Sequence, residues 1–247
     1  MKKKLIIYAI AFFIPVIIAA QKSDLKKWNL NGKIGTIKEN FYKIDKDNST
    51  SMVHYFVNIF NEQGNRTVDK KYLPGDKLDK IYNYSYDNMN RRTEKTGLDP
   101  DGNIIIKVTY QFDKKGNPIL DKSVDKDGKP GKMIKSKFYK NGNVKEDKIF
   151  DGDGKLQKIN KFSYDKNNNK TLSKVYNNDG KIDEETVYEY DADNNLINET
   201  IYRSDKTLVK KNVYHYEFDK YKNWTKKSVE TDGKINSFWV RQYGYLE

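Results

Sequence analysis

The chain has 247 residues, with 47 Lys and Arg against 35 Asp and Glu, 30 Phe and Tyr, and no cysteine. The missing thiols exclude a disulfide framework, a thiolate metal centre and a lipid-modified N-terminal Cys, so stability must come from strand pairing and stacked side chains. The positive excess is interspersed with acids along most of the chain, the pattern of a solvated surface, and no nucleic-acid partner is expected from it.

Residues 1–20 read as a secretory signal peptide. Lys2, Lys3 and Lys4 form a basic start, Leu5 to Ile18 an apolar run interrupted by Pro15, and Ala19-Ala20 a small-residue cleavage site before Gln21. The apolar run is shorter than the roughly 18 residues a spanning helix needs. Loss of the three lysines leaves 44 basic against 35 acidic residues, a net charge of +9. Residues 21–247 are expected to be one domain, secreted or periplasmic, with no membrane span.

Leu30-Asn31-Gly32-Lys33-Ile34 reads as the opening strand. Beyond it a 26-residue repeat takes over: Gly64, Asn90, Gly116, Gly142, Asn168 and Asn194 recur at that interval, and so do Asp76, Gly102, Gly128, Gly154, Gly180 and Lys206. The repeating unit is a β-hairpin, clearest over residues 60–225. One turn class is led by an aromatic, as in Phe112-Asp113-Lys114-Lys115-Gly116-Asn117 and Tyr190-Asp191-Ala192-Asp193-Asn194-Asn195; the other is Asp-x-Asp-Gly, as at Asp151-Gly152-Asp153-Gly154. Asp or Asn can bond its own backbone two residues on, and the Gly or Asn supplies the positive φ of a bulged turn.

Between turns the apolar residues alternate. Ile104, Ile106, Val108, Tyr110 and Phe112 are expected on one face, as are Leu156, Phe162 and Tyr164; Ile182, Tyr188 and Tyr190; and Leu208, Tyr214, Tyr216 and Phe218. Equivalent aromatics on successive hairpins then form a ladder that is either core or binding platform. Ser237 to Leu246 reads as the closing strand. The expected fold is all-β: tandem hairpins in a long, twisted or coiled antiparallel meander of about 16 strands, its atypical ends acting as caps. A transmembrane barrel is disfavoured because Lys158, Asn160, Glu184 and Thr186 share the aromatic face that would turn to lipid.

The turns carry a resemblance. Tyr164-Asp165, Tyr190-Asp191, Phe112-Asp113 with Gly116-Asn117, and Phe218-Asp219 with Asn223-Trp224-Thr225 resemble the YD repeat of the RHS family, and Phe138-Tyr139-Lys140-Asn141-Gly142-Asn143 is similar to the core of MORN-type and YwqK-type repeats. The leader is similar to those of secreted Bacteroidetes proteins. The resemblance implies a β-sheet repeat and ligand binding at the cell surface. RHS proteins are very large and carry a toxin domain, which this chain does not match.

Chemistry is sparse. His54 and His215, the two histidines, both fall in strand-like runs and read as structural residues. No nucleophile–base set, phosphate loop or paired-His metal spacing is present in the sequence. Asp125 with Asp127 and Asp151 with Asp153 resemble the start of a calcium loop, but a four-residue turn offers fewer than the 6–8 oxygens calcium takes; no metal or cofactor is expected. The sequence therefore points to a non-enzymatic exported scaffold that binds an extended polymer, a polysaccharide or an envelope protein. The alternatives are a secreted hydrolase acting on cell wall or polysaccharide, and an immunity-like partner protein. The candidate contact residues are Tyr84, Tyr110, Tyr188, Tyr216, Trp224 and Trp239.

Overall fold

A computed structural model describes residues 22–246; the expected signal peptide lies outside them. A four-residue helix, α1 (Asp24–Lys27), precedes sixteen strands. The first eight are β1 (Ile34–Ile44), β2 (Thr50–Phe60), β3 (Arg66–Leu73), β4 (Lys77–Tyr86), β5 (Arg92–Leu98), β6 (Ile104–Phe112), β7 (Pro118–Asp125) and β8 (Pro130–Phe138). They are followed by β9 (Val144–Phe150), β10 (Leu156–Tyr164), β11 (Lys170–Asn177), β12 (Ile182–Tyr190), β13 (Leu196–Arg203), β14 (Leu208–Phe218), β15 (Trp224–Thr231) and β16 (Lys234–Tyr245). Each strand pairs antiparallel with its sequence neighbours, and β1 pairs with β16, so the sheet is a closed barrel.

The expected open meander is therefore corrected: its ends do not cap, they zip together. At the seam Phe41 stacks on Trp239 at 4.4 Å and Tyr42 on Phe238 at 4.9 Å, on opposite faces of the same strand pair. Two local devices make closure accessible. Every neighbouring pair of strands carries a register shift, as between Gln111 and Phe112 or Ile201 and Tyr202, and such bulges bend and twist a sheet. Closure also removes the unpaired edges a meander would expose.

The two turn classes prove to be one geometry. In Asp113–Asn117 the Asp113 N–H donates to the Asn117 carbonyl, the Gly116 N–H donates to the Asp113 carbonyl, and Asp113 Oδ1 accepts the N–H groups of Lys115 and Asn117 at 2.8 and 2.9 Å. Asp151–Lys155 repeats this pattern at the other rim. Gly116 and Gly142 sit at φ +83° and +85°, the left-handed region. The backbone engages Oδ1 of Asp125 and Asp151, the first carboxylates of the two calcium-like turns.

The same bulges overturn part of the expected facing. Ile104 pairs across the register shift with Leu98, whereas Ile106 pairs with Gly97, so Ile104 turns outward and is 46% exposed. Leu156, Ile182 and Leu208 flip likewise, opposite Phe150, Tyr176 and Tyr202. Sixteen strands about 4.8 Å apart and tilted by about 40° close at roughly 30 Å between opposite strand axes, too wide for side chains to fill. Buried hydrophobic residues are accordingly few, and Leu25, Leu30, Ile34, Ile37 and Phe60 form one cluster at one end.

Candidate functional site

That cluster marks where the N-terminal strap, residues 22–33, crosses the barrel mouth. Its residues lie beside turns all round one rim: Leu25 N–H donates to Gly64 O, Asn31 exchanges hydrogen bonds with Asn223, and Lys26 and Asn29 face the turns at 115–118, 141–144 and 167–169. A segment outside the ring could not approach the turns on every side, so the strap defines the inside. Its side-chain partners fix the inward face, and the strand register carries that face round the ring.

The strap is latched by Asp24, which is 5% exposed. Its carboxylate accepts hydrogen bonds from Arg92 Nη2 at 2.8 and 3.0 Å, from Tyr86 Oη at 2.7 Å and from the Arg66 N–H at 3.0 Å. Burial alone would raise this carboxyl, but Arg92, Tyr86, the Arg66 amide and Lys27 outweigh it and hold it below the usual range. Arg92 in turn lies over the rings of Tyr84 and Tyr86. Trp28 receives the Arg66 and Arg241 guanidinium groups at 4.8 and 5.6 Å.

All six candidate residues face inward, though they do not form one platform. Tyr216, Trp224 and Trp239 neighbour one another on β14–β16, with Lys227 over both tryptophan rings at 5.2 and 4.6 Å and Arg241 3.7 Å from the Trp224 centroid. Tyr84 sits near the strap, donates to Asp69 at 2.6 Å and carries Arg66 and Arg92 over its ring. Tyr188 carries Lys170 at 4.5 Å. Tyr216 Oη donates to Leu196 O, and Tyr190 and Tyr243 tie down bulged carbonyls in the same way. Part of the ladder is thus wall structure. Burial first, then nearby acidic and phenolic groups, push the Tyr216 hydroxyl up to about 12.

Sequence reasoning missed Trp28, Arg66, Arg92 and Arg241. A signal was present: the chain has five arginines against forty-two lysines, and Arg stacks on aromatic faces where Lys is a solvated point charge. Of the histidines, His54 lies on the inward face between Phe41 and Phe56, and His215 lies outside against Glu230 at 2.9 Å.

The shape of the wall can be compared with known proteins. No family model matches the chain, and no curated protein matches its sequence. A solved structure does. A porin-like protein from Bacteroides uniformis superposes with a TM-score of 0.59 at 13% identity, covering 85% of this chain and 96% of that one. A LolA superfamily protein from Nitrosomonas europaea aligns over 93% of this chain and 91% of its own at 8% identity, but its TM-score of 0.29 is too low to carry an argument. The porin-like likeness is one of fold alone.

The outer wall differs from a lipid-facing one. Lys70, Lys107, Lys122, Lys135, Lys148, Lys161, Lys174, Lys211 and Lys226 all project outward in mid-strand. Three of them are paired there, Lys107 with Glu94 at 2.9 Å, Lys174 with Glu185 at 2.9 Å and Lys226 with Glu217 at 3.1 Å. Lys158, Asn160, Glu184 and Thr186, on which the sequence argument against a membrane barrel rested, line the interior instead. The ladder face turns inward, so these four residues would not meet lipid, and the outer lysines decide the matter instead.

Proposed function

We propose that this protein is a non-enzymatic barrel that stands in water, outside the cell or in the periplasm, and binds an extended polymer, glycan or protein, along its lumen. The observation that carries the reading is that the six candidate aromatics with Arg66, Arg92 and Arg241 line the lumen, while nine mid-strand lysines project from the outer wall among outward rings such as Tyr42, Tyr55, Tyr72 and Tyr176. A lysine facing the middle of a bilayer costs about 2–4 kcal/mol; all nine at that depth would cost about 18–36 kcal/mol, and four of them would still cost about 8–16 kcal/mol. The lumen offers repeated contacts, so a polymer gains by engaging several at once.

The test is retention of a panel of polysaccharides and envelope-protein fragments at low and high salt, with Trp239→Ala as the lumen variant. Affinity rising with chain length and reduced by Trp239→Ala supports the reading. Length-independent retention, or conductance after mixing with lipid vesicles, refutes it.

A further inference from the structure

Beside the strap, the mouth opens into a cavity of about 700 Å³ whose lining is chemically one-sided. Five cationic residues reach it, Lys22, Lys26, Lys27, Arg91 and Lys115, together with eight asparagines and, among the described residues, no carboxylate. Arg91 is already paired with Asp87, and Lys27 lies 3.9 Å from Asp24. Lys22, Lys26 and Lys115 have no acid within ion-pair distance among the described residues. Phe138 is the one aromatic on the lining among those residues, so there is no set of stacking platforms for nucleobases.

The asparagines are organised. Those at the turn ends reach the next turn along the rim: Asn143 donates to Asn168 at 2.9 Å and Asn169 to Asn194 at 2.8 Å, and beyond the cavity Asn65 does the same to Asn90. An amide pairs a donor with an acceptor, the complement of a sugar hydroxyl. Asn29 and Asn194 also line a second cavity of about 480 Å³ that holds Trp28, Tyr216 and Phe218, where a pyranose ring can stack.

We infer that this mouth is a binding site for the end of an acidic oligosaccharide, its carboxylates or sulfates on Lys22, Lys26 and Lys115 and its hydroxyls on the asparagine rim. The inference rests on the polymer-binding reading and names its ligand class and point of entry. The test titrates the protein calorimetrically with hexagalacturonate, its fully methyl-esterified form and a thymidylate hexamer at low salt. The acid should bind at least ten-fold more tightly than the ester. The combined variant Lys22→Gln, Lys26→Gln, Lys115→Gln should weaken the acid at least ten-fold and leave the ester unchanged. Equal binding of acid and ester, no effect of the triple variant, or equal binding of the thymidylate hexamer overturns the inference. Weakening by Trp239→Ala alone would leave lumen binding standing while removing the mouth; weakening by the triple variant alone would do the reverse.

Discussion

Replacing Asp24 by Ala tests whether the strap is an integral part of the barrel. The mutation removes four hydrogen-bond contacts to the carboxylate and leaves Arg92, whose side chain is 22% exposed, beside two tyrosine rings without its counter-charge. Breaking a buried pair by removing one partner costs about 3–5 kcal/mol. The mouth is partly open to solvent, which places the expected loss at the lower end, about 3 kcal/mol. For a chain of this size that corresponds to a fall in Tm of roughly 6–12 °C. Arg92→Leu should cost a similar amount, and the double variant little more than either single one, because both remove the same interaction. Denaturant unfolding with an unchanged m-value is the assay. A loss below about 0.5 kcal/mol, or strictly additive single losses, would refute the latch. The pH dependence has a defined sign. The folded carboxyl lies below its ordinary value, so the stabilisation is full above about pH 4 and fades as pH falls through the lower folded value.

Three further outcomes follow from the wall. Gly142→Val places a β-branched residue at φ +85° and should cost about 1–2 kcal/mol, whereas Gly142→Asn should be nearly neutral, since Asn90, Asn168 and Asn194 hold the equivalent place, and the outward Lys161→Gln should stay within about 0.5; equal losses in chemical denaturation would remove the turn assignment. Deleting one repeat, Lys155 to Gly180, removes two strands from a ring whose strand number and stagger are linked, so circular dichroism and size exclusion should show loss of the folded barrel, and a folded, shorter monomer would count against closure. Burial first, then the Asp147 carboxylate, push Asp121 up to about 6 against Arg92 and Lys132; stability should therefore rise as pH falls from 7 through 6 towards 4, and Asp121→Asn should add about 1–2 kcal/mol at pH 7 and flatten that rise, with a flat parent profile refuting it.

The hairpins were legible because each turn is a local chemical unit. The 26-residue spacing, the Asp that bonds its own backbone and the Gly or Asn at positive φ act within five residues, and sixteen strands follow from them. Closure was not legible, since it depends on β1 meeting β16 across almost the whole chain, through Phe41 on Trp239 and Glu39 with Arg241. Period-2 reasoning likewise put Ile104, Leu156, Ile182 and Leu208 on the aromatic face, because a one-residue bulge reverses the facing without altering composition. Tyr84, Tyr110, Tyr188 and Tyr216 could be named from alternation and repeat spacing, and Trp224 and Trp239 as aromatics near the C-terminal edge. Their cationic partners could not, because Arg66, Arg92 and Arg241 reach their rings through strand register and the strap rather than through sequence spacing.

The placement of the three lumen arginines and of the outward mid-strand lysines follows from their different chemistry. Lysine is a strongly hydrated point charge on a flexible stem, suited to an outer wall in water, while the planar guanidinium tolerates partial desolvation when it lies on a ring and bonds a carboxylate. Arg66, Arg92 and Arg241 meet both conditions, each having aromatic rings and an acid, respectively Asp69, Asp24 and Glu39. Several lysines are nonetheless inward, among them Lys95, Lys158 and Lys170, and Lys227 is the most informative of them. It is inward, held over Trp224 and Trp239, and burial, opposed by Glu39, lowers its affinity for the proton. Among the described residues it has no acid within ion-pair distance, so an anion in the lumen would meet there a cation whose charge is incompletely compensated. Substituting Lys227→Met keeps most of the stem that packs on the two tryptophans and removes the charge. An acidic polymer should then lose both affinity and part of its salt dependence, while a neutral polymer of the same length should be retained as before; loss of both together would mean that Lys227 acts by packing and not by charge.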